Sequence, residues 1–123
     1  MMTQAVNKKE ALGDHILLEF HGCPSHIIED SDRVEKIFLE AARISRAHIV
    51  NSLFHKFNPH GVSGIIVISE SHFAIHTWPE HEYAALDLFS CSKNIDLEST
   101  IQYLKENLKP KAVSTVELKR GIF

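Results

Sequence analysis

The side chains that could do chemistry crowd into one stretch: five of the nine histidines fall between His55 and His81, with Ser63, Ser69 and Ser71 among them. Metal binding is the first chemistry such a cluster raises. His72 and His76 are four apart, a spacing that converges on one ion in a helix. Their segment, SHFAIHTW (Ser71 to Trp78), instead alternates like a strand and is stopped by Pro79. In a strand the two rings stand about 13 Å apart, too far to share a zinc. No HExxH or CxxC accompanies them, and no metal site is expected.

Ser69-Glu70-Ser71-His72 offers a different reaction. A serine hydroxyl held over the preceding carbonyl attacks it and turns the amide into an ester. A neighbouring base then removes the serine α-proton, and the upstream chain leaves as a carboxylate. Hydrolysis of the resulting dehydroalanine leaves a ketone at the new N-terminus. The requirements are a nucleophilic hydroxyl, a base and a group that stabilises the tetrahedral intermediate. Ser71, His76 and Ser63 are candidates for those parts. The dipeptide Glu-Ser has no weight by itself, because it occurs by chance in most proteins.

The elements that position these groups follow from periodicity. On the strand 71–78, His72, Ala74, His76 and Trp78 point one way and Phe73, Ile75 and Thr77 the other. On the preceding strand, VSGIIVIS (Val62 to Ser69), Ser63, Ile65, Val67 and Ser69 share a face. Pairing of the two strands would line one surface with a hydroxyl, an imidazole and an indole; the competing reading is an ordinary solvated sheet face. No Gly or Asn offers an easy turn between them. Further strands are expected at His15–His21, His48–Phe57, Glu82–Cys91 and Lys111–Lys119, with a loop over 22–31. A first helix is expected over 32–46, with Asp32 and Glu35 as its capping box and Val34, Ile37, Phe38, Ala41 and Ile44 on one stripe. A second opens at Asp96, carries Leu97, Ile101, Leu104 and Leu108, and ends at Pro110. The expected fold class is α+β, a two-layer sandwich of a mostly antiparallel sheet with two helices on one face. The other face is left for a partner sheet, as in a dimer.

Composition sets the outer bounds. The chain's 123 residues suit one domain, and its 44% apolar and 24% charged residues are ordinary for a globular protein. Thirteen Lys+Arg against sixteen Asp+Glu give a net charge of −3, which provides no basic field for nucleic acid. The longest aliphatic run, Ile65-Ile66-Val67-Ile68, is far short of a membrane span. Residues Met1 to Asp14 are polar and lack the apolar core of a secretory signal. Cys23 and Cys91 lie too far apart in sequence for a zinc or redox pair, so free thiols in a cytoplasmic protein are expected.

The string GVSGIIVISESHFAIHTWPE (Gly61 to Glu80), followed by YAALDLFSC (Tyr83 to Cys91), closely resembles prokaryotic S-adenosylmethionine decarboxylase. The resemblance extends to LGDHILLEFHGC (Leu12 to Cys23), FHKFNPHGVSG (Phe54 to Gly64) and the closing KAVSTVELKRG, and so covers about residues 12–121. It implies a proenzyme that cleaves itself between Glu70 and Ser71 into a β chain 1–70 and an α chain from 71–123. Ser71 would become a covalent pyruvoyl group, the only cofactor, which forms a Schiff base with the substrate amine. Position by position, His76 matches the processing base, Ser63 the hydroxyl that assists cleavage, and Cys91 the catalytic proton donor. Phe57 and Trp78 match aromatics that sandwich adenine, and Glu80 the carboxylate on the ribose hydroxyls. Cys23 stays structural.

The implied reaction converts S-adenosylmethionine to its decarboxylated form, the aminopropyl donor for spermidine synthesis. The implied assembly is a homodimer of αβ protomers, each corresponding to half of the larger eukaryotic enzyme. Three positions depart from the family pattern. Glu80-His81-Glu82 stands where an aromatic-Gly pair is usual before the next aromatic, Ser92 replaces a common Gly, and Asp96-Leu97 replaces a common Asp-Pro-Trp. Two other readings stay open at this level. One is a pyruvoyl decarboxylase of arginine or ornithine on the same scaffold; the other is an uncleaved relative that acts as a binding partner. Retention of Phe57, Trp78 and Glu80 favours the nucleoside substrate, and retention of Ser63, Ser71, His76 and Cys91 favours an enzyme.

Overall fold

A computed structural model describes residues 11–122; most of the polar arm at Met1–Asp14 lies outside the described residues. Six strands form one sheet: β1 (Gly13–His21), β2 (Ile49–Lys56), β3 (Val62–Ile68), β4 (Ser71–Trp78), β5 (Tyr83–Ser90) and β6 (Ala112–Arg120). Their order across the sheet is β2-β3-β4-β5-β1-β6, and every neighbouring pair is antiparallel. The three central hairpins need only short turns, so β2 to β5 meander in sequence order. The helical connections carry the chain from β1 to the far edge at β2, and from β5 past β1 to β6.

Strand alternation separates two environments. Leu18 and Phe20 of β1, Ile66 of β3, Phe73 and Ile75 of β4, and Leu86 and Leu88 of β5 point to one face and are buried there. The long helices α2 (Ser31–Ile44) and α3 (Leu97–Leu108) cover that face with Val34, Phe38, Ala41, Leu104 and Leu108. Phe38 anchors the layer, its ring tilted against Phe73 at 6.5 Å and edge-on to Phe54 at 6.3 Å; full burial of such a ring stabilises by roughly 1.5–3 kcal/mol. Gly64 is needed here, because a Cβ at that position would meet the Phe54 ring.

The α+β sandwich is as expected, with local differences. Helix α2 is capped by Asp30, whose side chain accepts the Arg33 N–H at 3.1 Å, and not by Asp32. Asp32 lies inside the first turn, where its charge faces the helix dipole. The expected loop 22–31 contains a one-turn helix, α1 (Ser25–Ile28), too short to leave a periodic pattern. It buries Ile27 and Ile28, and the Ser25 hydroxyl donates to the Pro79 carbonyl at 3.1 Å. No helix among the described residues is long and apolar enough to cross a membrane.

Among the described residues, no helix covers the second sheet face. That face presents apolar side chains to the outside, among them Leu53 (70% exposed), Ile65, Val67, Trp78, Val116 and Leu118. An apolar patch of this extent on a globular domain marks an interaction surface.

Candidate active site

The candidate residues fall on the open face and its rims in two groups, one at each end of β3 and β4. At one end, Ser69 and Glu70 form the two-residue turn of the β3–β4 hairpin, and Ser71 lies opposite Ile68 and Ser90. Lacking a glycine, the turn places Ser71 at φ +145°, a backbone region that costs a non-glycine residue about 1–3 kcal/mol. Cys91, one residue beyond β5, donates its backbone N–H to the Glu70 carbonyl at 2.8 Å. Its side chain is exposed, and the Ser90 hydroxyl fixes the turn around it by accepting from the Ser92 N–H at 3.0 Å.

The Glu70 side chain is held as well. Its carboxylate accepts the His48 backbone N–H at 3.1 Å and meets His48 Nδ1 at 2.7 Å. The imidazole hydrogen bond, ahead of the backbone contact and the charge, holds the Glu70 carboxyl below its ordinary range.

At the other end, Ser63 and His76 are direct cross-strand partners, and Ser63 Oγ lies 2.7 Å from His76 Nδ1. Behind them Thr77 is buried. Its hydroxyl accepts the Val62 N–H at 2.9 Å and donates to the Ile28 carbonyl at 2.9 Å, which ties β3, β4 and α1 together. A cavity of about 310 Å³ opens here, lined by Phe57, His60, Ser63, His76, Trp78 and Glu80. Phe57 is placed by the β2–β3 turn, where its N–H donates to the Gly61 carbonyl at 2.8 Å and Gly61 takes φ +102°. Glu80 sits on the 3-10 turn Pro79–His81, held by Ser25 through Pro79. Trp78 leans on Tyr83 at 5.3 Å, and the Tyr83 hydroxyl donates to Glu19 at 2.6 Å. Burial, and then that carboxylate, push the Tyr83 phenol up to about 12.

The strands pair in the register that puts hydroxyl, imidazole and indole on one surface. Ser71 and His76, however, stand five positions apart along β4, a separation of about 16 Å at the strand rise. Within one chain, therefore, Ser71, Glu70 and Cys91 are together, and Ser63, His76, Phe57, Trp78 and Glu80 are together, but the two groups are apart. Cys23 lies elsewhere, buried under the helical layer, and its thiol is pushed up to about 11 by desolvation and then by Glu82. Sequence reasoning misses His48, Thr77 and the Cys91 N–H, because each acts through register or through the backbone.

Glu82 occupies the left-handed cap of the 3-10 turn, φ +52°, a backbone region that favours glycine.

Residues 14–121 match the family described as S-adenosylmethionine decarboxylase. A protein of Acetivibrio thermocellus named S-adenosylmethionine decarboxylase proenzyme is 48% identical over 92% of this chain and 91% of its own length. The crystal structure of the adenosylmethionine decarboxylase of Aquifex aeolicus superposes with a TM-score of 0.86 at 29% identity, over 93% of this chain and 94% of that one. The Trypanosoma brucei structure shares the fold, with a TM-score of 0.61 at 14% identity, and this chain covers 45% of it. With the matching sequence running from β1 to β6 and the same sheet beneath it, the chain belongs to the S-adenosylmethionine decarboxylase family.

Proposed function

We propose that this protein is a proenzyme that cleaves itself between Glu70 and Ser71 and then decarboxylates S-adenosylmethionine in the cytoplasm, supplying an aminopropyl donor for spermidine synthesis. The observation that carries the reading is the state of the Glu70–Ser71 peptide. Its carbonyl already accepts a backbone N–H from Cys91 at 2.8 Å, and Ser71 is strained at φ +145°. A donor aimed at that oxygen stabilises the charge that develops when Ser71 Oγ attacks the carbonyl carbon. Strain in the peptide is relieved as its C–N bond breaks. Loss of the Ser71 α-proton then expels Glu70 as a carboxylate, and water converts the remaining dehydroalanine to a pyruvoyl group with release of ammonia.

That pyruvoyl group would supply the electrophile that captures the substrate amine and accepts the electrons left by CO₂. The chain's own residues do the rest. Phe57 and Trp78 offer ring faces to the adenine and to the sulfonium beside it, a cation–ring contact worth roughly 0.5–2 kcal/mol. Glu80 accepts from the ribose hydroxyls. Cys91 returns a proton to the substrate α-carbon, and His76 with Ser63 moves protons during self-cleavage.

These roles require the two groups of residues to meet. A second copy packed on the open face achieves it: a two-fold axis between the sheets and across the strands lays the Ser71 end of one copy over the His76 end of the other. Face-packed sheets stand about 10 Å apart, a gap that side chains from both faces span, so each dimer of αβ protomers would hold two composite sites. The uncovered Leu53, Ile65, Val67 and Val116 supply the apolar contact.

Denaturing mass analysis of the purified protein tests the proposal. Two fragments broken after Glu70 are expected, the smaller with a blocked N-terminus, and a single intact species from Ser71→Ala. CO₂ release is expected from S-adenosylmethionine and not from arginine or ornithine. A wild-type protein that stays whole would end the proposal.

A further inference from the structure

The turn proposed for cleavage is held by a residue that none of the roles proposed above uses. We infer that His48 is a positioning residue for self-cleavage, holding the Ser69–Glu70 turn in its strained geometry through the Glu70 carboxylate; this rests on the cleavage proposed above. Besides the strand ladder, four hydrogen bonds among the described residues hold the turn, and three of them involve His48. Its carbonyl accepts the Ser69 N–H at 2.8 Å, its N–H donates to Glu70 Oε1 at 3.1 Å, and its Nδ1 lies 2.7 Å from Glu70 Oε2. The fourth is the Cys91 N–H on the Glu70 carbonyl.

A packing role does not account for this arrangement. The His48 side chain is 80% exposed, whereas the Glu70 side chain is only 13% exposed, so the imidazole meets the carboxylate while remaining largely in solvent. Two physical effects follow. A strained backbone persists only where its surroundings over-determine it, and without the imidazole the carboxylate keeps only the His48 backbone N–H, a weaker hold that lets it swing outward and Ser71 relax. The Glu70 carboxylate also sits beside the carbonyl on which negative charge develops during attack. A donor bonded to the carboxylate draws that charge away and lessens the like-charge opposition.

The test is the rate at which freshly made full-length chain becomes two fragments. His48→Ala should slow it about tenfold, the kinetic equivalent of one charge-assisted hydrogen bond. His48→Asn, whose amide nitrogen reaches about where Nδ1 stands, should recover most of that rate. In a Glu70→Ala background, His48→Ala should have no further effect, since the imidazole then has no carboxylate to hold. The thermal midpoint of uncleaved Ser71→Ala protein should fall by only a few degrees on adding His48→Ala, as for the loss of one hydrogen bond to an exposed imidazole.

Cleavage of His48→Ala at the wild-type rate overturns the inference. So does an equal slowdown in the Glu70→Ala background, an asparagine no better than alanine, or a large fall in the midpoint. Failure of the wild-type chain to cleave at all strikes the underlying proposal instead, so the two failures are distinguishable.

Discussion

Co-expression of a Ser71→Ala chain with a His76→Ala chain separates a composite site from one built within a single chain. Along β4 the two residues are about 16 Å apart, several times the reach of a proton transfer. In the proposed dimer, Ser71 of the His76→Ala chain is served by the intact His76 of its Ser71→Ala partner. Random pairing makes about half of the dimers mixed. In each mixed dimer one of the two sites is complete and the other lacks both groups. About half of the His76→Ala chains should then be cut promptly, and total decarboxylation should reach about a quarter of the wild-type level, although each variant expressed alone is inactive or slow to mature. The assay is a denaturing gel for the fragments together with CO₂ release from S-adenosylmethionine. If the mixture is as inert as its components, catalysis does not cross the interface, and the face-to-face arrangement derived from the open sheet is wrong.

Four further outcomes follow from particular contacts. Cys91→Ala should still cleave, because the backbone N–H on the Glu70 carbonyl remains, while turnover per mature site falls by about 10²–10⁴-fold; undiminished turnover removes the thiol from its role. Thr77→Val should lower the unfolding free energy by about 1–3 kcal/mol in urea titration, since it leaves the Val62 N–H and the Ile28 carbonyl without their buried partner. A thiolate-seeking reagent should label Cys91 in the folded protein and reach Cys23 only on unfolding, because Cys23 is buried with its thiol at about 11. Tyr83 has a folded pKa raised to about 12 from 10.0, so its contribution to stability is complete below pH 10 and is lost as the pH rises toward 12. Tyr83→Phe should flatten that part of the stability profile.

How far the sequence reaches is decided by what each feature depends on. The two faces of β4 are legible because alternation is a local property: Phe73, Ile75 and Thr77 are buried, while His76 and Trp78 are exposed. The Ser63–His76 pair is nearly so, because a two-residue turn at Ser69–Glu70 fixes the register of β3 on β4 and carries position 63 opposite position 76. The cap of α2 is less legible, because Asp30 and Asp32 are both good capping residues two positions apart and tertiary contacts choose between them. The hold on Glu70 is not legible at all. It requires the start of the edge strand to arrive beside the hairpin turn after a long helical crossover, and nothing local in the residues near His48 states where that crossover ends. The strand rise that parts His72 from His76 also parts Ser71 from His76, and by more. A motif whose members lie close in sequence thus describes two separate groups of residues, which the proposed packing of a second copy on the uncovered apolar face would join. The proposed function then depends on a relation between copies that a single chain encodes as exposed Leu53, Ile65, Val67 and Val116.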